Sequence, residues 1–160
     1  MGTTKSQISK KSLDKIKPGV NLSKRVAKLL PKPELSSSYE SKTGREVLLY
    51  VDTKFERELF RFLQSKPIMK KFRMVAEFAL SDRYDDDLYG HEASSSKSKD
   101  MCAIKICVLG NYRIYCKEFF KPNQKKIVLI KLVNKKTNEF SNELRKMVDR
   151  LGEYEYDFQE

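Results

Sequence analysis

Along this 160-residue chain the spacing of apolar positions switches between two and three-to-four residues, and each switch marks an element. Glu46 to Val51 (EVLLYV) predicts a short strand. Asp52 with Thr53 then caps a helix carrying Phe55, Leu59, Phe60 and Leu63 at core spacing. Pro67 suits the first turn of a second helix, with Ile68, Phe72, Val75, Ala76, Ala79 and Leu80 as its apolar stripe. The pair is expected to form an antiparallel hairpin covering one sheet face. From Ser81 to Asp100 the chain turns polar, with Asp85-Asp86-Asp87, Gly90-His91 and a serine-lysine run from Ser94 to Lys99, and is expected to be a mobile surface loop.

The strongest β pattern lies in residues 101–133. Ala103 to Leu109 and Tyr112 to Phe120 flank Gly110-Asn111, residue types that tolerate positive φ, and predict a hairpin closed by a two-residue turn. Lys121-Pro122-Asn123-Gln124 is the next turn and Lys126 to Val133 the third strand. That strand is apolar on both alternations, which suits a central position covered on both faces. Asn138 or Ser141 then caps a helix in which Phe140, Leu144, Met147, Val148 and Leu151 recur at helical spacing, and Gly152 ends it. The fold class expected is α+β, a small twisted antiparallel-rich sheet with a helical hairpin and a C-terminal helix.

The first 42 residues differ from the rest. Residues 1–34 hold nine Lys/Arg against two acids, a net +7 of the chain's +11. Asn21 to Leu30 predicts a short amphipathic helix, with Leu22, Val26, Leu29 and Leu30 opposite Lys24, Arg25 and Lys28, stopped by Pro31 and Pro33. A ten-residue helix needs a surface to lie on, either nucleic acid or a partner, or the protein's own core. Leu35 to Lys42 has the composition of a linker. The organisation expected is therefore a basic N-terminal helical arm and linker over 1–42 and an α+β domain over 43–160.

Charge and composition narrow the partners. Lys+Arg 33 against Asp+Glu 22 favours a polyanion or an acidic protein, and 17 Phe and Tyr suffice for a core. No apolar run approaches the roughly 18 residues of a membrane span, so no membrane partner is expected and a cytoplasmic location is. Cys102, Cys107 and Cys116 lack metal-ligand spacing and His91 is the only histidine, so neither a metal site nor a cofactor is expected and buried reduced thiols are. There is no Gly-rich phosphate loop and no nucleophile motif.

Gly110-Asn111-Tyr112-Arg113-Ile114-Tyr115, the apolar strand Ile127 to Val133 and the basic Lys135-Lys136-Thr137 before the last helix resemble, in order and spacing, the C-terminal half of the RelE/HigB-like toxins of type II toxin–antitoxin systems. The resemblance spans residues 46–151 in element order. It implies a twisted sheet with helices against one face, cleavage of mRNA without a metal, with the message free or presented by the ribosome, and an acidic antitoxin as partner. It places Arg113 and Lys136 where the family has phosphate-binding cations, with His91 or Lys105 standing in for the base and acid. Lys105 falls one residue out of register with the family's paired strand lysines, and the family's late tyrosine corresponds to Tyr154 or Tyr156 or is absent.

The residues support part of that chemistry directly. Metal-free RNA cleavage needs a base for the ribose 2′-OH, cations for the phosphorane and an acid for the leaving oxygen. Strand alternation puts Arg113 on the face opposite Tyr112 and Ile114, where its fork matches phosphate oxygens bidentately, with Tyr115 expected to lean to the other side. Lys135 and Lys136 lie near a helix start, which also favours an anion. His91 is the side chain whose ordinary pKa suits proton transfer near neutrality. The candidate site is thus Arg113, Lys136, His91 and Lys105 for catalysis, with Lys135, Tyr115 and the arm residues Lys24, Arg25 and Lys28 for RNA. The competing reading is a non-catalytic RNA- or ribosome-binding module on the same fold.

Overall fold

A computed structural model describes residues 24–31, 41–136 and 140–160. Strands β1 (Arg25–Leu29), β2 (Glu46–Asp52), β3 (Tyr89–His91), β4 (Met101–Ile106), β5 (Tyr112–Lys121), β6 (Gln124–Asn134) and β7 (Tyr156–Gln159) form one sheet in the order β3-β4-β5-β6-β2-β1-β7. Helices α1 (Glu56–Phe62) and α2 (Lys66–Leu80) follow β2, and α3 (Asn142–Gly152) follows β6. The pairings are antiparallel except β2 with β6 and β1 with β7. This is an α+β architecture with a mostly antiparallel sheet. No helix among the described residues is long and apolar enough to cross a membrane.

β6 is central because its apolar residues face both ways. Ile127 and Leu129 join Val47, Leu49, Val51, Ile104, Ile106 and Ile114 in the core that Leu59 of α1 and Phe72, Val75 and Ala79 of α2 cover. Val128 and Ile130 join Tyr50, Ala103 and Tyr115 under Met147, Val148 and Leu151 of α3. Each fully buried aliphatic side chain of this kind contributes about 1.5–3 kcal/mol. The helices therefore cover both faces, not one, because a central strand apolar on both alternations needs a cover on each side. Ser141 caps α3 by accepting from the Leu144 amide at 3.1 Å. The alternative cap, Asn138, lies outside the described residues.

The basic segment 21–30 departs from the helix expected of it. Over Arg25–Leu29 it is a strand, inserted between β2 and β7, with Ala27 buried. Two ladders of backbone hydrogen bonds outweigh a helix of this length, which is marginal alone. β7, which the periodicity did not reveal, supplies one of those ladders. Leu22 and residues 32–40, which include 35–40 of the expected linker, lie outside the described residues.

Asp52 clasps the three strands. Its fully buried carboxylate accepts from Arg25 Nε of β1 at 2.5 Å, from the Tyr156 hydroxyl of β7 at 2.7 Å and from the Lys54 amide at 2.8 Å. The Arg25 guanidinium also lies 4.2 Å from the Tyr154 ring centre.

The polar stretch 81–100 is not a simple surface loop. It contains β3, which pairs with β4, and a 3₁₀ turn over Ser96–Ser98. The hydroxyls of Ser94, Ser95 and Ser98 all donate to Asp149 Oδ1 of α3, at 2.7, 2.8 and 2.8 Å. A Cβ on Gly152 would sit 2.3 Å from the Lys97 carbonyl oxygen, so only glycine lets α3 end against this turn. The β4–β5 connection also runs longer than the expected two residues, from Cys107 to Asn111. Leu109 and Gly110 both take positive φ, and a Cβ on Gly110 would lie 2.6 Å from the Tyr112 ring.

Because Asp52 is buried and Arg25 is its charge partner, Arg25→Met should destabilise the fold by about 3 kcal/mol, within the range for breaking a buried ion pair. Urea unfolding followed by far-UV circular dichroism measures it. A midpoint and slope equal to wild type would show that β1 is dispensable to the sheet.

Candidate functional site

The register of β4, β5 and β6 gathers cations at one end of the α3-covered face. Arg113 of β5 lies opposite Lys105 of β4 and opposite Val133 of β6. Lys135 follows β6, its amide donating to the Asn111 carbonyl at 2.7 Å. Glu92, just beyond β3, completes the group. Arg113 Nη1 donates to Glu92 Oε1 at 2.5 Å, and Lys105 Nζ stands 3.6 Å from Glu92 Oε2. The serine tether to α3 holds the chain that follows Glu92, which fixes the carboxylate over Arg113.

Tyr115 shares this face with Arg113, contrary to the expectation that it leans the other way, since residues two apart on a strand point to the same side. Arg113 Nε and the Tyr115 hydroxyl are buried, and neither has a hydrogen-bond partner among the described residues. Burial, then Glu92, push the Tyr115 hydroxyl up, and Arg113 opposes them only in part. Lys135 is 8% exposed. Burial and the neighbouring Arg113, with Lys105 behind it, lower its pKa against the pull of Glu92. Arg113 and Lys105 also line a cleft of about 510 Å³ shared with Lys71, Asp86, Asp87, Leu88, Cys107 and Asn111.

The other candidates lie elsewhere. Lys136 is exposed beyond β6. His91 is exposed, and its β3 register with Cys102 turns it to the sheet face opposite Arg113, where its ring stacks on Tyr84 with centres 4.3 Å apart. Lys24 pairs with Asp157 at 3.1 Å, Arg25 with Asp52, and Lys28 with Glu56 at 3.1 Å. Those three cations face carboxylates of the protein's own sheet and helix. Glu92 went unrecognised because it occupies a polar stretch, and only its position after a strand facing Lys105 could have signalled it.

The opposite face carries a second polar cluster. Lys125 is fully buried, with Nζ 2.8 Å from Asp82 Oδ1, 3.1 Å from Glu118 Oε2 and 3.2 Å from the Tyr84 hydroxyl. Tyr84 and Tyr89 donate to Glu118 at 2.8 and 2.7 Å. Arg45 donates through Nε and Nη2 to the two oxygens of Asp82 at 3.0 and 3.1 Å, and Thr43 donates to it as well. Formal charges cancel within this cluster, which makes a buried lysine tolerable.

Among known proteins, no family model, no curated protein and no solved structure matches this chain.

Asp82 gives the acid behaviour a definite form. Burial raises its pKa, but the bonds from Arg45, Lys125 and Thr43 outweigh burial and hold it at about 2, against an ordinary 3.8. A depressed carboxylate contributes stability that is present above its unfolded value and lost as pH falls through its folded value. About 2 kcal/mol should therefore disappear between about pH 4 and pH 2. Urea unfolding at stepped pH should show this loss in wild type and not in Asp82→Asn. Parallel curves for the two proteins would remove Asp82 from the acid transition.

Proposed function

We propose that the protein is an RNA-cleaving endoribonuclease on a RelE/HigB-like fold, acting at the Arg113–Lys105–Lys135–Glu92 cluster. The observation that carries this reading is the convergence of three cations and one carboxylate around two buried polar atoms, Arg113 Nε and the Tyr115 hydroxyl, that lack partners. Unsatisfied buried polar atoms are costly, and a cluster that keeps two of them beside three cations is more than a structural ion pair.

Arg113 and Lys105 hold the scissile phosphate. Glu92 takes the proton from the ribose 2′-OH, whose oxygen attacks phosphorus to form a 2′,3′-cyclic phosphate. The P–O5′ bond breaks, and Lys135, whose lowered pKa eases release of its proton, protonates the 5′-oxygen. Arg113 stabilises the charge that develops on the phosphorane. On this reading the substrate is mRNA, free or on the ribosome, the partner an acidic antitoxin, and the location the cytoplasm. The competing reading, a non-catalytic RNA- or ribosome-binding module, is favoured by two features: Arg113 is already ion-paired, and the sole histidine faces away from it.

Cleavage of a translated message in a cell-free system, and of naked RNA with EDTA, separates the two. Arg113→Ala should lower the cleavage rate by about 10²-fold or more while weakening RNA binding far less. Glu92→Gln should cost about 10²- to 10⁴-fold. A loss in His91→Ala as large as in Glu92→Gln would move the base to the other face. No cleavage by wild type in either setting, with salt-sensitive RNA or ribosome binding intact, would leave the binding module.

A further inference from the structure

Three side chains from three neighbouring strands meet on the sheet face opposite the cationic cluster. His91 of β3 lies opposite Cys102 of β4, and Cys102 lies opposite Cys116 of β5, two residues before Glu118 on the same face. His91 Nδ1 and Cys102 Sγ are 3.6 Å apart, and these two atoms and a Glu118 carboxylate oxygen all lie within 4.8 Å of one another. We infer that His91, Cys102 and Glu118 form a binding site for a borderline-soft divalent ion, with Zn²⁺ the best fit, clasping the edge strand β3 to β4 and β5.

The geometry suits that ion. Zn–S of about 2.3 Å and Zn–N of about 2.0–2.1 Å at a tetrahedral angle put sulfur and nitrogen about 3.6 Å apart. The carboxylate oxygen, no farther than 4.8 Å from either partner, closes to the roughly 3.5 Å of such a site by a small adjustment of the glutamate side chain. Its oxygens have room. Oε2 accepts from Tyr89 and Lys125 and Oε1 from Tyr84, and the Cys102 thiol, which also bonds this carboxylate, gives up that bond when a metal replaces its proton. Tyr84, Tyr89 and Lys125 then act as the outer hydrogen bonds that orient a ligating carboxylate. Strands hold all three ligands, and strands position sites more tightly than loops. Thiolate, imidazole and carboxylate together suit zinc better than magnesium or calcium.

The ion enters from the exposed His91 side. Among the described residues, the groups facing the site from neighbouring elements are Tyr84, Tyr89, Lys125, Asp82 and Cys116, and the charges of Asp82, Glu118, Lys125 and Arg45 cancel. A divalent ion that displaces the Cys102 proton adds one positive charge. An anion taken from solution, such as chloride, at a fourth, outward-facing position neutralises it without releasing a second proton, so the site has the open form of three protein ligands and one exchangeable one. Burial holds the Cys102 proton on tightly in the metal-free state, so binding must release it and must weaken as pH falls.

Titration of the full-length protein with Co²⁺ alone and with Zn²⁺ against a chromophoric chelator tests this without RNA, so its outcome is separate from that of the cleavage assays. A Cys107→Ser background removes the exposed thiol as a competing ligand. Expected results are a thiolate-to-cobalt charge-transfer band saturating at one equivalent, release of about one proton at pH 7.5 and a higher melting temperature with Zn²⁺. Cys102→Ser should abolish the band, and His91→Ala, at an exposed position, should weaken binding by about 10²-fold or more. No band in the Cys107→Ser protein, or a band and affinity unchanged in His91→Ala, would overturn the site.

Discussion

The register between β4, β5 and β6 is the constraint on which the rest depends. β5 opposes β4 residue for residue from Met101–Lys117 to Ile106–Tyr112, and opposes β6 with a single shift between Tyr115 and Cys116. Side chains alternate with period two, so a slip by one residue would send Ile104, Ile106 and Ile114 under α3 and bury Lys105 and Arg113 beneath α1 and α2. Neither face would accept the exchange. The shift at Tyr115 leaves Ile130 without a partner across the ladder, yet Ile130 still packs under α3. The bulge thus lets β6 supply one more residue to that core while Val133 stays opposite Arg113.

Polar groups buried in this sheet add specificity more than stability. Lys125 would be untenable in an apolar interior, and its two carboxylates, with Arg45 and the two tyrosine hydroxyls behind them, recover what desolvation costs without a large surplus. What the cluster adds is a unique join. Asp82 ends the α2 segment, Glu118 sits on β5, Lys125 on β6, and Arg45 leads into β2, so only one arrangement of these elements satisfies every charge. Asp52 does the same at the other edge for β1, β2 and β7. Arg45 and Asp82 lie 37 residues apart, Tyr84 and Lys125 41, and Asp52 and Tyr156 104, which makes a misplaced strand costly.

Local signals carried the elements whose pattern was periodic and long. The α2 stripe from Ile68 to Leu80, the doubly apolar β6 and the Ser141 cap were all legible. Short elements that owe their form to a partner were not. Arg25–Leu29 has a better helical stripe than strand alternation, and only β7 on one side and β2 on the other make it a strand. Tyr89–His91 and the serine run are polar or small, so nothing in their composition announced a strand edge and an Asp149-binding turn. For the site, Arg113 and Lys135 could be picked out because basic residues beside a strong strand are conspicuous. Glu92 and the His91–Cys102–Glu118 group could not, since their members come from separate strands and share no contiguous motif.

The two clusters are separated by the sheet and joined by one peptide unit. His91 and Glu92 are adjacent, and successive strand residues face opposite sides, so the histidine reaches Cys102 on one face and the carboxylate reaches Arg113 on the other. β3 is a three-residue edge strand held by one neighbour, the least supported element of the sheet. Its position is set by Tyr89 below, the Glu92 amide bonded to the Met101 carbonyl, and the serine tether beyond. Any contact that fixes His91 against β4 therefore also fixes where the Glu92 carboxylate stands over Arg113. A loosened β3 would shift both at once, because the two residues are consecutive in the chain.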